Sequence, residues 1–233
     1  MIYVVSDIHG KYDKYMELLE KIKLSADDTL YVLGDVVDRG EKPIEILHDM
    51  MKRPNVFPLI GNHDYVAALV LKRLSCEITE ESISALDNDT LDILYDWLKD
   101  GGETTLDGFL KLSPIERQKV LDYLGEFELY AEVAAGGNEY LLVHGGLGNY
   151  SHEKGLCEYN LDELLTFRTD YSKPLFSGNK YLVTGHTPTQ KIPENLNPGK
   201  IYRANNHIAI DCGAVFGGSL AAICLDTGEE FYV

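Results

Sequence analysis

The sequence predicts an α/β fold, and three observations carry that expectation. Short apolar runs alternate with stretches of helical period through the first third of the chain, the pattern of βαβ units on a parallel sheet. The second half is instead a succession of strand-like runs with hairpin signals, which reads as a mixed or antiparallel sheet. Between them lies an acidic, mainly helical stretch, roughly 80–124, that breaks both rhythms. It is read as a small helical insertion capping one side of the sheet, within a single domain spanning 1–233.

Taken in order, Ile2–Ser6 is β-branched and continuously apolar, as a strand covered on both faces is. Tyr12–Leu24 sets Tyr12, Tyr15, Met16, Leu19 and Ile22 at helical spacing. Thr29–Leu33 is the second strand and Pro43–Met51 the second helix, with proline in its first turn, where its missing N–H costs nothing. Val56–Ile60 and Asp64–Leu74 complete the βαβαβα opening. Right-handed crossovers then bring the carboxyl ends of three strands to one edge, where α/β sites form. After the insertion and its turn Asp100-Gly101-Gly102, Glu128–Ala134 and Glu139–Val143 flank the hairpin signal Gly136-Gly137-Asn138. Tyr181–Thr184, Lys200–Arg203, His207–Asp211 and Leu220–Leu225 follow, and Asp226-Thr227-Gly228 turns the chain into Glu229–Val233. Lys173 to Lys200, with four prolines, is read as the loop-richest part.

The formal charge of −17 argues against a nucleic-acid polymer as partner, because binding phosphate backbones needs Lys and Arg. It suits a protein that collects divalent cations, although solubility alone accounts for most of the 38 acids. No apolar run approaches the roughly 20 residues of a membrane span, so no membrane partner is expected. Met1 leads straight into Ile2-Tyr3-Val4-Val5 with no signal-like segment, which gives a cytoplasmic expectation. Cys76, Cys157, Cys212 and Cys224 lie far apart and make neither a disulfide framework nor a zinc ribbon. Cys212 and Cys224 fall in apolar strand patterns and read as small buried hydrophobes.

The chemistry gathers at the strand ends. Asp7-Ile8-His9-Gly10 follows the first strand, and two residues two apart there point to the same side. Gly34-Asp35-Val36-Val37-Asp38-Arg39-Gly40 follows the second, with carboxylates suited to hard cations and a guanidinium suited to phosphate oxygens. Gly61-Asn62-His63-Asp64 follows the third, adding a neutral oxygen and an imidazole. A charged surface turn would explain one such run, but not three on one sheet edge. The β-rich half adds Val143-His144-Gly145-Gly146 and Gly185-His186-Thr187-Pro188, each with a histidine where a strand gives way to a turn. His48, His152 and His207 have no such setting and receive no role.

The ordered set D-x-H-G, G-D-x-x-D-R-G, G-N-H-D, H-G-G and G-H-T-P resembles the calcineurin-like metallophosphoesterases, and within them the PPP-type protein serine/threonine phosphatases of bacteria and phages. The resemblance runs from Asp7 to about Gly218. It implies a four-layer α/β/β/α sandwich with two divalent metal ions between the sheets, manganese first, iron or zinc otherwise. It further implies Asp7 and His9 on one ion, Asp35 bridging, and Asn62, His144 and His186 on the other. His63 would protonate the leaving oxygen, with Asp38 orienting it. Arg39 would clamp the phosphoryl group together with Arg168, the only arginine between the last two motifs. Asp64 stands where many relatives have glutamate, and it is expected to support the ligands rather than bind metal.

The elementary chemistry agrees, since two ions about 3.5–4 Å apart can hold a hydroxide nucleophile and bind phosphoryl oxygens. The first reading of function is a protein serine/threonine phosphatase acting on a phosphorylated protein. The alternative is a symmetrical dinucleoside polyphosphate hydrolase acting on diadenosine tetraphosphate or another phosphorylated small molecule. A base-stacking pocket near the cap would favour the alternative, and an open groove the first. A non-catalytic binding module is the remote third, since every expected ligand is present.

Overall fold

In a computed structural model the described residues are 1–75 and 88–233, so Cys76 and the start of the expected insertion lie outside them. The opening forms as the periodicity predicts: β1 (Ile2–Val5), α1 (Tyr12–Ile22), β2 (Thr29–Leu33), α2 (Pro43–Met50), β3 (Val56–Leu59) and α3 (Asn62–Leu74). β1 pairs parallel with β2, and β2 with β3. Alternate residues of β1 face opposite ways, as pleating requires. Tyr3 and Val5 enter the core beneath the helices, and Val4 enters a second core on the other face.

The insertion consists of α4 (Asn88–Trp97), a widened turn at Leu98–Gly102, α5 (Glu103–Leu110) and α6 (Pro114–Leu124). Ser113 and Glu116 close a reciprocal capping box ahead of Pro114, which fixes where α6 begins. Trp97, Phe109, Val120 and Leu124 are buried in the same apolar cluster as α1–α3, so the insertion extends the outer helical layer.

A second sheet follows from β4 (Tyr130–Ala135), β5 (Asn138–Val143), β6 (Lys180–Thr184), β7 (Tyr202–Ala204) and β8 (His207–Ala209), in the order β4-β5-β6-β8-β7. Gly136 and Gly137 both take positive φ between the paired Ala135 and Asn138, the backbone that a two-residue hairpin demands. The β-rich half does not all belong to this sheet. β9 (Ala221–Cys224) and β10 (Glu230–Tyr232) return to the first, which orders β10-β9-β1-β2-β3. β9 is buried at every position and covers the open edge of β1, a pairing that local sequence does not signal.

The two sheets pack face to face through Val4, Leu33, Leu142, Val183, Ile208 and Ile223. Behind the second sheet, α7 (Leu161–Leu165) and its flanks bury Leu164, Leu165 and Tyr159 against Leu141 and Leu182. Helix, sheet, sheet and helix make the four layers. Among the described residues no helix is long and apolar enough to cross a membrane.

Candidate active site

The motif loops leave β1, β2, β5 and β6 and the start of α3 at one edge of the sandwich, and their backbones are strained. Among the described residues, six site positions hold φ between 44° and 68°: Asp7, His9, Asp35, Asp38, Arg39 and His186. That left-handed backbone costs a residue with a Cβ about 1–2 kcal/mol. Such strain persists only where the surrounding structure over-determines it, and its clustering here is a feature of sites rather than of incidental charged turns. The loops also touch. A Cβ on Gly61 would collide with the amide and carboxylate of Asp35, so only glycine lets the two loops approach.

Asp7, His9, Asp35, Arg39, Asn62, His63, Arg168 and His186 line one cavity of about 160 Å³. His144 and Asp38 are buried just behind it. The Nδ1 of His144 donates to Leu33 O (2.7 Å), which leaves Nε2 as the nitrogen that faces the cavity. That nitrogen lies 3.0 Å from Asn62 Oδ1 and 3.4 Å from Asp35 Oδ1. These three ligand atoms converging in a buried space need a positive charge among them, either a proton on Nε2 or a metal ion in its place. His9 is built alike: Nδ1 donates to Val37 O (2.9 Å), and Nε2 faces Asp35 Oδ2 at 3.5 Å. Two groups of ligand atoms share Asp35, one with His9 and His63 and the other with His144 and His186. Asp7 is not within either group; its carboxylate accepts from His186 N (3.0 Å) while lining the same cavity. Nitrogen and oxygen donors without thiolate fit manganese, iron or zinc.

Electrostatics sets the charge of each group, and a metal ion would displace the proton of His144 on binding. Burial pulls His9 down to about 4 and His186 to about 3, so both rings are neutral near pH 7. Burial pushes the Asp7 carboxyl up to about 6. Burial also disfavours charge on His144, but the Asp35 carboxylate outweighs it and lifts the ring to about 10. Burial works against ionising Asp35 too, yet His144 and His9 hold it well below the usual carboxylate range.

His63 Nδ1 donates to Asp38 Oδ2 (2.7 Å), the pairing its motif implies. Burial lowers the pKa of His63, and Asp38 and Asp35 overcome that to raise it. The insertion fixes Asp38: Trp97 Nε1 donates to Oδ2 (2.8 Å) and Thr105 Oγ1 to Oδ1 (2.6 Å). It holds Arg39 as well, through Asp100 Oδ1 (3.0 Å) and a backbone bond from Arg39 N to Gly101 O (2.8 Å). Arg39 Nη1 donates to His9 Nε2 (2.9 Å). Arg168 reaches the cavity wall and donates to His186 O (3.3 Å) and Thr187 Oγ1 (3.2 Å). Asp64 binds three amides with one carboxylate, those of Val36, Val37 and Gly61, and so ties the second motif loop to the start of α3.

Sequence reasoning overlooked Asp211, a buried wall residue whose burial pushes its carboxyl well above the usual range. The signal existed, since Asp211 follows a strand and precedes Gly213 as Asp7 precedes Gly10. Thr105 and Asp100 carried no signal, and Trp97 only its nearness to Gly101-Gly102.

A model of the calcineurin-like phosphoesterase family matches residues 1–212. The chain belongs to this family. This calcineurin-like phosphoesterase is thus a metal-dependent phosphoester hydrolase. It is 27% identical over 256 residues to the symmetrical bis(5'-nucleosyl)-tetraphosphatase of Neisseria gonorrhoeae (strain NCCP11945), covering 97% of this chain and 93% of that one. It is 26% identical over 249 residues to the asymmetrical bis(5'-nucleosyl)-tetraphosphatase PrpE of Geobacillus sp. (strain WCH70), covering 95% and 89%. A crystal structure of a candidate diadenosine tetraphosphatase superposes with a TM-score of 0.68 at 19% identity, over 100% of this chain and 92% of that one. A Saccharomyces cerevisiae protein serine/threonine phosphatase superposes at 0.56 and 16% identity, over 100% and 79%. At these identities the structural likeness speaks to fold alone.

Proposed function

We propose that this phosphoesterase hydrolyses dinucleoside polyphosphates symmetrically, so that diadenosine tetraphosphate yields two molecules of ADP. This is the alternative reading of the sequence, preferred here over the protein phosphatase. The observation that carries it is a pocket of about 280 Å³ between α3 and α4, beside His63, with Val66, Ile93 and Trp97 in its wall. It is the pocket near the cap that a nucleobase needs, and it opens where a leaving group accepting a proton from His63 would lie. The nearly full-length similarity to bis(5'-nucleosyl)-tetraphosphatases supports the same reading.

In this reading Asp7 and His9 would hold one ion, Asn62, His144 and His186 the other, and Asp35 would serve both. Manganese is the proposed ion, with iron or zinc as substitutes. When bound, two such ions supply Lewis acidity that activates water and neutralises phosphoryl charge. The chain supplies the rest. Protonated His63 gives its Nε2 proton to the departing oxygen while Asp38 fixes the ring and balances its charge. Arg39 donates to the same His9 nitrogen that would hold an ion, so with that nitrogen occupied Arg39 would be left to bind phosphoryl oxygens beside Arg168. The test is a side-by-side rate measurement, with the manganese-loaded enzyme, on diadenosine tetraphosphate and a phosphoserine peptide. Faster turnover of the dinucleotide, with ADP as sole nucleotide product, is expected. Faster peptide turnover, or AMP with ATP as products, would overturn the proposal.

A further inference from the structure

The central cavity adjoins a second cavity on each of two sides. Towards the insertion it shares Asn62, His63 and Asp100 with the apolar pocket. On another side it shares Arg168 and Lys191 with a cavity of about 350 Å³. One way out is therefore flanked by an imidazole, an amide and a carboxylate, and the other by two cations.

Among the described residues neither cation has a carboxylate in ion-pair contact. Among the described residues Arg168 donates only to His186 O and Thr187 Oγ1, and Lys191 makes no ion pair. Other lysines of this acidic chain do find carboxylates, as Lys42 does with Asp13 and Lys154 with Glu163. Acids are also at hand here: Asp170 and Glu194 line the same outer cavity. Asp170, however, turns to Ser172 N (3.0 Å) and Oγ (2.6 Å). Meanwhile the turn that carries Lys191 is pinned in place. Thr189 N donates to Asp211 O (2.8 Å), Lys191 N to Pro188 O (2.7 Å) and Gln190 Nε2 to Cys212 O (2.9 Å).

We infer that Lys191, with Arg168, forms a subsite for the phosphate next to the one under attack, on the side away from the leaving group. This rests on the dinucleotide reading. A phosphorus within a polyphosphate chain carries one bridging oxygen to the leaving group and a second to the retained part of the chain, whereas a monoester phosphorus lacks the second. The subsite thus selects polyphosphates over monoesters, using a compact ammonium as a point charge.

The experiment measures inhibition of p-nitrophenyl phosphate hydrolysis by inorganic tripolyphosphate and by orthophosphate, at fixed free manganese. Lys191→Gln should raise the tripolyphosphate inhibition constant about fivefold, the scale of one exposed charge contact. The orthophosphate constant should shift less than about twofold, and Lys191→Arg should restore tripolyphosphate binding. Equal shifts for the two anions, or no shift for either, would overturn the inference. Failure of the dinucleotide reading looks different: wild-type enzyme leaves diadenosine tetraphosphate intact while Lys191→Gln still separates tripolyphosphate from orthophosphate.

Discussion

On one wall of the site Asp7, His9, Asp35, Asn62, His144 and His186 stand at strand ends or at the first residue of α3, held by the hydrogen-bond ladders of two sheets. On the other, Trp97, Asp100, Gly101 and Thr105 come from the helical insertion and touch Asp38, Arg39 and His63. In the proposed reading the strand-end wall would present its lone pairs to cations, and the insertion wall would orient His63, Asp38 and Arg39. A shared scaffold can thus keep its metal chemistry while the insertion alters what happens around it. Changes on the first wall should cost metal and rate together, and changes on the second should cost rate alone.

The largest effect is expected from Asp35→Asn, which removes the carboxylate common to both ligand groups. Nucleophile generation and charge neutralisation fall together, so a rate loss on the order of 10⁴-fold or more is expected. Elemental analysis should find fewer than two ions per chain; two ions with normal turnover would break the division between the walls. His63→Asn comes next, with both ions retained and roughly 10²–10⁴-fold lost on substrates with poor leaving groups. A good leaving group such as p-nitrophenolate needs little protonation and should lose far less. An equal loss on both substrates would exclude proton donation.

Trp97→Phe should have the smallest effect of the three, about tenfold in kcat with metal content unchanged. It keeps an aromatic ring against Gly102 and deletes only the N–H donated to Asp38. Asp38 then offers more charge to His63, and the imidazolium is further stabilised. Because the protonated ring is the acid, rate falls as pH rises through its pKa, so the alkaline limb of the pH–rate profile should move to higher pH. A loss of rate with an unmoved limb would leave Trp97 a packing residue only.

This difference between the walls also explains what could be read in advance. Asp7, Asp35 and Asn62 were legible because a strand end is a local feature, marked by an apolar run and a neighbouring glycine. Trp97 sits at a helical spacing that reads equally well as core, and Thr105 bears no charge. Their contacts with Asp38 span 59 and 67 residues and exist only once the helices pack. Asp211 was legible in principle, but a strand drawn through it hid it. Asp64 was expected to support the ligands, yet its binding to three amides across two loops follows from tertiary geometry. The continuous apolar run of β9 announced a strand without saying which sheet would take it.

That last pairing bears on how the molecule is made. β1 is the central strand of the first sheet, with β2 on one side, and its other edge is covered only by β9 through Tyr3↔Cys224, Val4↔Ile223 and Val5↔Ala222. During synthesis the N-terminal strands therefore emerge long before the edge of β1 is covered, with apolar side chains on both faces and unpaired backbone beside them. Closure over such a sequence separation carries a large loop entropy and folds slowly. An exposed strand edge in the meantime is a template for pairing with another chain. Asp7 lies two residues beyond β1, so the site assembles its final geometry only after the last strands have docked.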